Sequence, residues 1–262
     1  MPDRPQPLTD IRAGDWIAPR LGPFGAAAGS IVPRGFAAYA RVLHPAPTDP
    51  PTTWAAVCAA TGATPHALMQ WSAITCGDAE RWGHEAGGGS LEPDTLDALR
   101  TVLEQHTTEQ EWFFAVWDGW GWQTESASVP RGAVLADDPV PGTHTEPAPI
   151  AEPVAAVPGI DPWAPVDERP KLALPHRDYL LFSGPPDLVG RLDDPDGVWA
   201  QSPSLFWPSD RSWCVATEID LDSTLVGGPV ELVDAVLAAP GLEAWPIGVN
   251  DSLTADADTI NR

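Results

Sequence analysis

Residues 111–122, EWFFAVWDGWGW, carry the strongest signal for the fold of this chain. In an extended strand, residues 112, 114 and 116 fall on one face and residues 113, 115 and 117 on the other, and all six are apolar. Because a strand with two apolar faces is covered on both sides, this one is predicted to lie inside a sheet. Asp118-Gly119 suits a two-residue primed turn, so the stretch also predicts a hairpin.

The clearest predicted helix covers residues 93–106. Leu96, Leu99 and Leu103 fall on one helical face, and Pro93 suits the first turn. The remaining elements predicted in the N-terminal part are a strand at residues 35–44 and short helices at residues 53–60 and 64–74.

The C-terminal part predicts further strands at residues 178–183, 212–219, 225–226 and 242–247 and a helix at residues 229–237. The last strand is assigned to a sheet edge because Pro246 has no amide hydrogen to donate. Strands and short helices follow one another without a regular βαβ rhythm. The sequence therefore predicts an α+β fold with a mixed or mostly antiparallel sheet and short helices.

A proline-rich segment divides the chain. Residues 126–170 contain ten prolines, seven acidic residues and two arginines, a composition that favours extended backbone and disfavours helices and central strands. The predicted organisation is an N-terminal α+β lobe at residues 1–125, a linker at residues 126–170 and a C-terminal α+β lobe at residues 171–262. The two lobes are expected to share or pack one sheet.

The charge balance narrows the classes of partner. The 262 residues include 37 Asp and Glu against 14 Lys and Arg, which gives a formal net charge of −23. Such a surface repels phosphate backbones and anionic membranes, so neither nucleic acid nor a membrane is a predicted partner. It attracts a basic protein at long range. The alternative is that the acidity serves only solubility.

A cytoplasmic location is expected. No run of about 18 apolar residues is present, and Met1 to Asp10 lacks the apolar stretch of a secretion signal. The three cysteines form no C-x-x-C motif, so they predict no disulfide framework. The sequence predicts no oligomeric state.

Motifs for metal, cofactor and covalent chemistry are missing from the sequence. The six histidines have no H-x-x-H or H-x-x-x-H spacing, and neither G-x-S-x-G nor a phosphate-binding loop occurs. Catalytic residues, metal sites and cofactors are therefore not predicted. Glu218, Asp220 and Asp222 alternate and have the ligand type that Mg²⁺ or Ca²⁺ prefers, but a solvated strand face explains them better.

Candidate binding residues come from two segments. Trp120 and Trp122 alternate with glycine beyond the predicted turn, where few neighbours are available to bury them. Asp210, Arg211 and Trp213 follow turn-forming residues, and Asp210 is expected to form a charge pair with Arg211.

Several stretches resemble known families. Residues 33–45, 206–228 and 242–247 are similar to a family of uncharacterised actinobacterial proteins, which implies no particular activity. Leu174-Pro175 followed by Asp178-Tyr179-x-x-Phe182 resembles the SUKH immunity superfamily. This second resemblance implies an acidic α+β protein that binds and neutralises a toxin.

Two hypotheses for the function follow. The first is a non-enzymatic cytoplasmic binding protein whose acidic surface and Asp210–Trp213 loop hold a basic partner, as an immunity protein would. The alternative is an enzyme with a pocket between the lobes, in which Arg211 holds an anion and Glu218 or Asp220 acts as acid or base. The alternative requires these side chains to converge on one concave pocket.

Overall fold

In the part of the chain that the structure describes, nine strands form one antiparallel sheet. The computed structural model describes residues 4–25, 27–46, 48–120, 169–192 and 201–261. The strands are β1 (Gln6–Pro7), β2 (Ala38–Leu43), β3 (Trp112–Trp117), β4 (Leu172–Leu174), β5 (Arg177–Gly184), β6 (Leu205–Pro208), β7 (Cys214–Thr217), β8 (Ser223–Gly228) and β9 (Ala244–Pro246). Their order is β1-β5-β3-β6-β7-β8-β2-β9, and β4 also pairs with β5.

The strand predicted from residues 111–122 lies near the middle of this sheet. Phe114 of β3 is in register with Phe182 of β5 on one side and with Phe206 of β6 on the other. The interior position is therefore confirmed, and so is the α+β fold. Strands from both sides of the proline-rich segment alternate across the sheet, so the two predicted lobes share it.

Each face of the sheet is covered by its own apolar core. Trp112, Phe206 and Trp213 lie in the core beneath the longer helices, whereas Trp16 and Trp207 lie in the core on the opposite face. A third cluster packs the short helices against the end of β2. The helices are α1 (Trp54–Thr61), α2 (Trp71–Ile74), α3 (Ala79–Trp82), α4 (Pro93–Glu104) and α5 (Val230–Ala238).

Local sequence signals set the ends of the helices. The Thr53 hydroxyl accepts from the Ala56 amide at the start of α1, and Gly62 ends that helix with a φ of 81°. Leu96, Leu99 and Leu103 of α4 are all buried, as their spacing predicts.

The predicted hairpin is wrong. Asp118–Trp120 form a 3-10 turn instead of a primed turn. The strands that pair with β3 are β5 and β6, which begin at residues 177 and 205 and so come from far along the chain. Trp122 lies outside the described residues, as do residues 126–168 of the predicted linker.

The predicted helix at residues 64–74 is shorter than expected, because only Trp71–Ile74 are helical. The carbonyls of Ala67 and Met69 accept hydrogen bonds from the buried Arg41 guanidinium, at 3.0 and 2.9 Å. In a helix these carbonyls would be bonded to amides four residues further along. A tertiary contact with a distant arginine therefore overrides the local helix signal.

Candidate functional site

The loop predicted to bind a partner is the turn between β6 and β7. The Arg211 amide donates to the Pro208 carbonyl at 2.9 Å, and the Ser212 amide donates to Asp210 Oδ1 at 2.9 Å. Asp210 Oδ2 accepts from the Thr107 hydroxyl at 3.3 Å. The carboxylate of Asp210 thus holds the turn in shape, and the expected charge pair with Arg211 is not formed.

Trp213 does not contact solvent, which corrects its proposed role in binding. Its side chain is 0% exposed, and its ring packs edge-to-face on Trp112 with centroids 4.7 Å apart. Trp213 is a core residue, and its part in the fold is to join β7 to β3 beneath α4 and α5. For Trp120 only the backbone is described, within the 3-10 turn after β3.

Arg211 is exposed, as is the neighbouring Asp210. Its φ is 57°, and its guanidinium carbon lies 5.9 Å from the centre of the Trp16 ring. The side chain therefore turns toward the face of the sheet that carries Trp16 and Trp207.

The residues of the enzyme hypothesis do not converge. Arg211 precedes β7, whereas Glu218 follows directly after it, so the two lie at opposite ends of the strand. Glu218 and Asp220 both accept from Arg177 Nη2, at 2.8 and 3.2 Å. Among the described residues, the arginine that contacts these two acids is therefore Arg177 and not Arg211.

A cleft of about 530 Å³ opens beside the loop that joins β7 and β8. The amide of Gly89 donates to the Leu221 carbonyl at 2.9 Å and ties the segment before α4 to this loop. The acidic side chains of the cleft are Glu85, Asp220 and Asp222, and the other lining residues include Gln70, Trp71, Ser72, His84 and Thr254. Sequence reasoning had considered Asp220 and Asp222 but missed Glu85 and the cleft.

A buried arginine holds one wall of this cleft. Arg41 is 1% exposed, and its Nη2 lies 3.1 Å from Asp222 Oδ1, while its Nε donates to the Ser223 hydroxyl at 3.0 Å. Burial raises the pKa of the Asp222 carboxyl, and the positive charge of Arg41 opposes that shift. The sequence signal for this group is a charged residue within an otherwise apolar strand, AYARVL.

A chain of hydrogen bonds runs behind the same wall. His44 Nδ1 contacts the Gly87 carbonyl, and its Nε2 lies 2.9 Å from the hydroxyl of Thr224. A carbonyl only accepts, so Nδ1 carries the proton and Nε2 accepts from Thr224. The Thr224 oxygen in turn accepts from the Thr217 hydroxyl at 2.7 Å. Burial lowers the pKa of His44 to about 4, so the ring is neutral.

In the described part of the chain, no three His, Cys, Asp or Glu side chains come together in a way that could hold a metal ion. Glu218 and Asp220 share Arg177 as a salt-bridge partner, and Asp222 pairs with Arg41. Across the same residues, no helix combines the length and the apolarity that crossing a bilayer requires.

Comparison with known proteins returned no family model, no curated protein and no solved structure that matches the chain. The resemblances to the actinobacterial family and to the SUKH superfamily therefore stay predictions.

Proposed function

We propose that this chain is a non-enzymatic binding protein of the cytoplasm that captures a basic partner, as an immunity protein would. In this proposal, the cleft beside the β7–β8 loop receives a cationic side chain of that partner. The observation that carries the proposal is the placement of Glu85, Asp220 and Asp222 around one cleft. Its volume of about 530 Å³ accommodates an arginine or lysine side chain together with part of the neighbouring backbone.

Two of the three carboxylates are available to a ligand. Glu85 is exposed and has no cation within ion-pair distance among the described residues. The side chain of Asp220 is 75% exposed although it touches Arg177. Asp222, held by Arg41, is 20% exposed and fixed in position. A rigid carboxylate beside two accessible ones suits the planar, multiply donating head of an arginine.

The overall charge supports the same kind of partner. A net charge of −23 attracts a basic protein and raises its association rate at low ionic strength. The same charge disfavours nucleic acids and anionic membranes as ligands.

The experiment compares two variants with the same change in net charge. One is Glu85→Gln with Asp220→Asn, in the cleft, and the other is Glu231→Gln with Asp234→Asn, on the exposed face of α5. The probe is a ten-residue peptide rich in arginine and lysine, and its Kd is measured in 0.15 M salt. We expect the cleft variant to bind the peptide about tenfold more weakly than the parent, because two ion pairs are lost. The Kd of the α5 variant should stay within about twofold of the parent value. Equal losses in the two variants would overturn the proposal.

A further inference from the structure

Two exposed arginines share one tryptophan ring on the opposite face of the sheet from α4 and α5. The guanidinium carbons of Arg20 and Arg211 lie 5.3 and 5.9 Å from the centre of the Trp16 ring. Trp16 is held in place by edge-to-face contacts with Trp207 and Phe36, at 6.1 and 6.3 Å between centroids. These distances are typical of cation–π pairs.

Neither guanidinium has a carboxylate within ion-pair distance among the described residues. Other described arginines, such as Arg34 and Arg191, likewise have none, so the pair is distinguished by the ring that it shares. By contrast, Arg41, Arg100 and Arg177 each contact at least one carboxylate. Asp210, the acid next to Arg211, accepts from the Ser212 amide and the Thr107 hydroxyl instead.

The backbone of Arg211 has an uncommon conformation. A φ of 57° lies in the left-handed region, where residues other than Gly, Asn and Asp are rare. The turn stabilises it through the bond from the Arg211 amide to Pro208. Strained backbone of this kind is concentrated at binding sites.

We propose that Arg20 and Arg211, presented by Trp16, form a binding surface for the carboxylate groups of an acidic peptide segment in a protein partner. A guanidinium that packs its face on an indole keeps the N–H donors of its edges directed away from the ring. Those donors match the two oxygens of a carboxylate. Two such groups on one rigid ring fit a segment with two neighbouring acidic side chains.

Long-range repulsion by the net charge and short-range contacts at the two arginines together determine which anions this surface binds. The net charge of −23 repels any polyanion at long range, which disfavours a nucleic acid. At physiological ionic strength that repulsion is screened over about 8 Å, whereas contacts at the arginine pair act at closer range. The segment therefore belongs to a molecule that is neutral or basic overall. The surface is separate from the acidic cleft and does not depend on it.

The probes are a peptide whose only charged side chains are two adjacent glutamates, its glutamine counterpart, and inorganic phosphate. Each is titrated into the full chain in 0.15 M salt, and the indole N–H signal of Trp16 is followed by NMR. The variants are Arg211→Asn, because Asn tolerates the positive φ, and Arg20→Gln. Arg81→Gln is the matched control, because Arg81 also stacks on a tryptophan, Trp82, at 4.5 Å.

We expect the glutamate peptide to shift the Trp16 signal saturably and the glutamine peptide to leave it unchanged. Affinity falls at least tenfold in Arg211→Asn and in Arg20→Gln and stays within twofold in Arg81→Gln. Absence of binding by the glutamate peptide, an equal loss in Arg81→Gln, or saturation by phosphate without any by the peptide would overturn the proposal. The cleft variant Glu85→Gln with Asp220→Asn leaves this binding unchanged, so the two proposals fail separately.

Discussion

The ammonium group of Lys171 lies 2.8 Å from Asp118 Oδ2. Asp118 follows directly after β3, and Lys171 directly precedes β4, so the ion pair ties the end of β3 to the start of β4, the two points between which residues 121–168 are inserted. Trp117 and Tyr179 are also in register there, on β3 and β5. A short connection is therefore enough to join the two parts of the sheet.

Replacement of residues 121–168 by a flexible linker of about six residues should leave the sheet intact. Each halving of the length of a loop lowers the free-energy cost of closing it by about 0.6 kcal/mol. The free energy of unfolding should therefore rise by about 2 kcal/mol at most. Denaturant unfolding and the dispersion of amide NMR signals check this expectation. A chain that no longer folds would show that the predicted linker is part of the core.

The two tryptophans that join β3 and β7 should act together in stability. Trp112→Ala and Trp213→Ala should each destabilise the fold by about 3–5 kcal/mol, because both side chains are fully buried. The double variant should lose about 1 kcal/mol less than the separate losses predict, the coupling typical of an edge-to-face pair. Trp117→Ala, at a half-buried position, should cost markedly less. Additive losses at Trp112 and Trp213 would contradict the observed contact.

Stability should fall in mild acid because of His44. Its pKa is about 4 in the fold against an ordinary value of 6.5, so between these pH values the unfolded chain binds the additional proton. The contribution of His44 to the free energy of unfolding is complete above pH 6.5 and is lost as the pH falls toward 4. The loss is about 3 kcal/mol, because each unit of pKa difference corresponds to about 1.36 kcal/mol. The raised pKa values of Asp222 and Glu243 act in the opposite direction.

A comparison of the parent with His44→Gln isolates this contribution, because both chains contain the same carboxylates. Denaturant unfolding at pH 7.5, 5.5 and 4.5 should show a steeper loss in the parent than in the variant. Parallel pH profiles would show that His44 is not held neutral.

Signals that act within one element predicted much of the fold. The six apolar residues of β3, the leucines of α4 and the threonine and glycine that cap α1 each specify local structure through their own spacing. The errors arose where a distant group decides the outcome. Arg41 takes the carbonyls that a helix at residues 64–70 would need, and the edges of β3 are occupied by strands far along the chain.

The candidate sites were harder to predict for the same reason. Arg211 and Asp220 were selected from the sequence, but their surroundings are built by remote segments. Arg20 and Trp16 meet Arg211 only because the N-terminal turns fold across the sheet. Glu85 lines one cleft with Asp220 and Asp222 because tertiary bonds at Gly87 and Gly89 hold its segment against remote parts of the chain. Trp213 was misjudged because its position in a turn-rich segment did not reveal that its side chain enters the core.

An NMR map of where a basic peptide binds shows whether the acidic cleft is a binding site. The peptide rich in arginine and lysine is titrated into the isotope-labelled chain in 0.15 M salt, and every backbone amide and indole signal is followed. Capture by the acidic cleft predicts saturable shifts concentrated at Glu85, Gly88, Asp220 and Asp222 and at the indole of Trp71. Small shifts spread over exposed acids elsewhere, such as Glu231 and Asp234 of α5, would contradict it and show that the acidity attracts cations without a site.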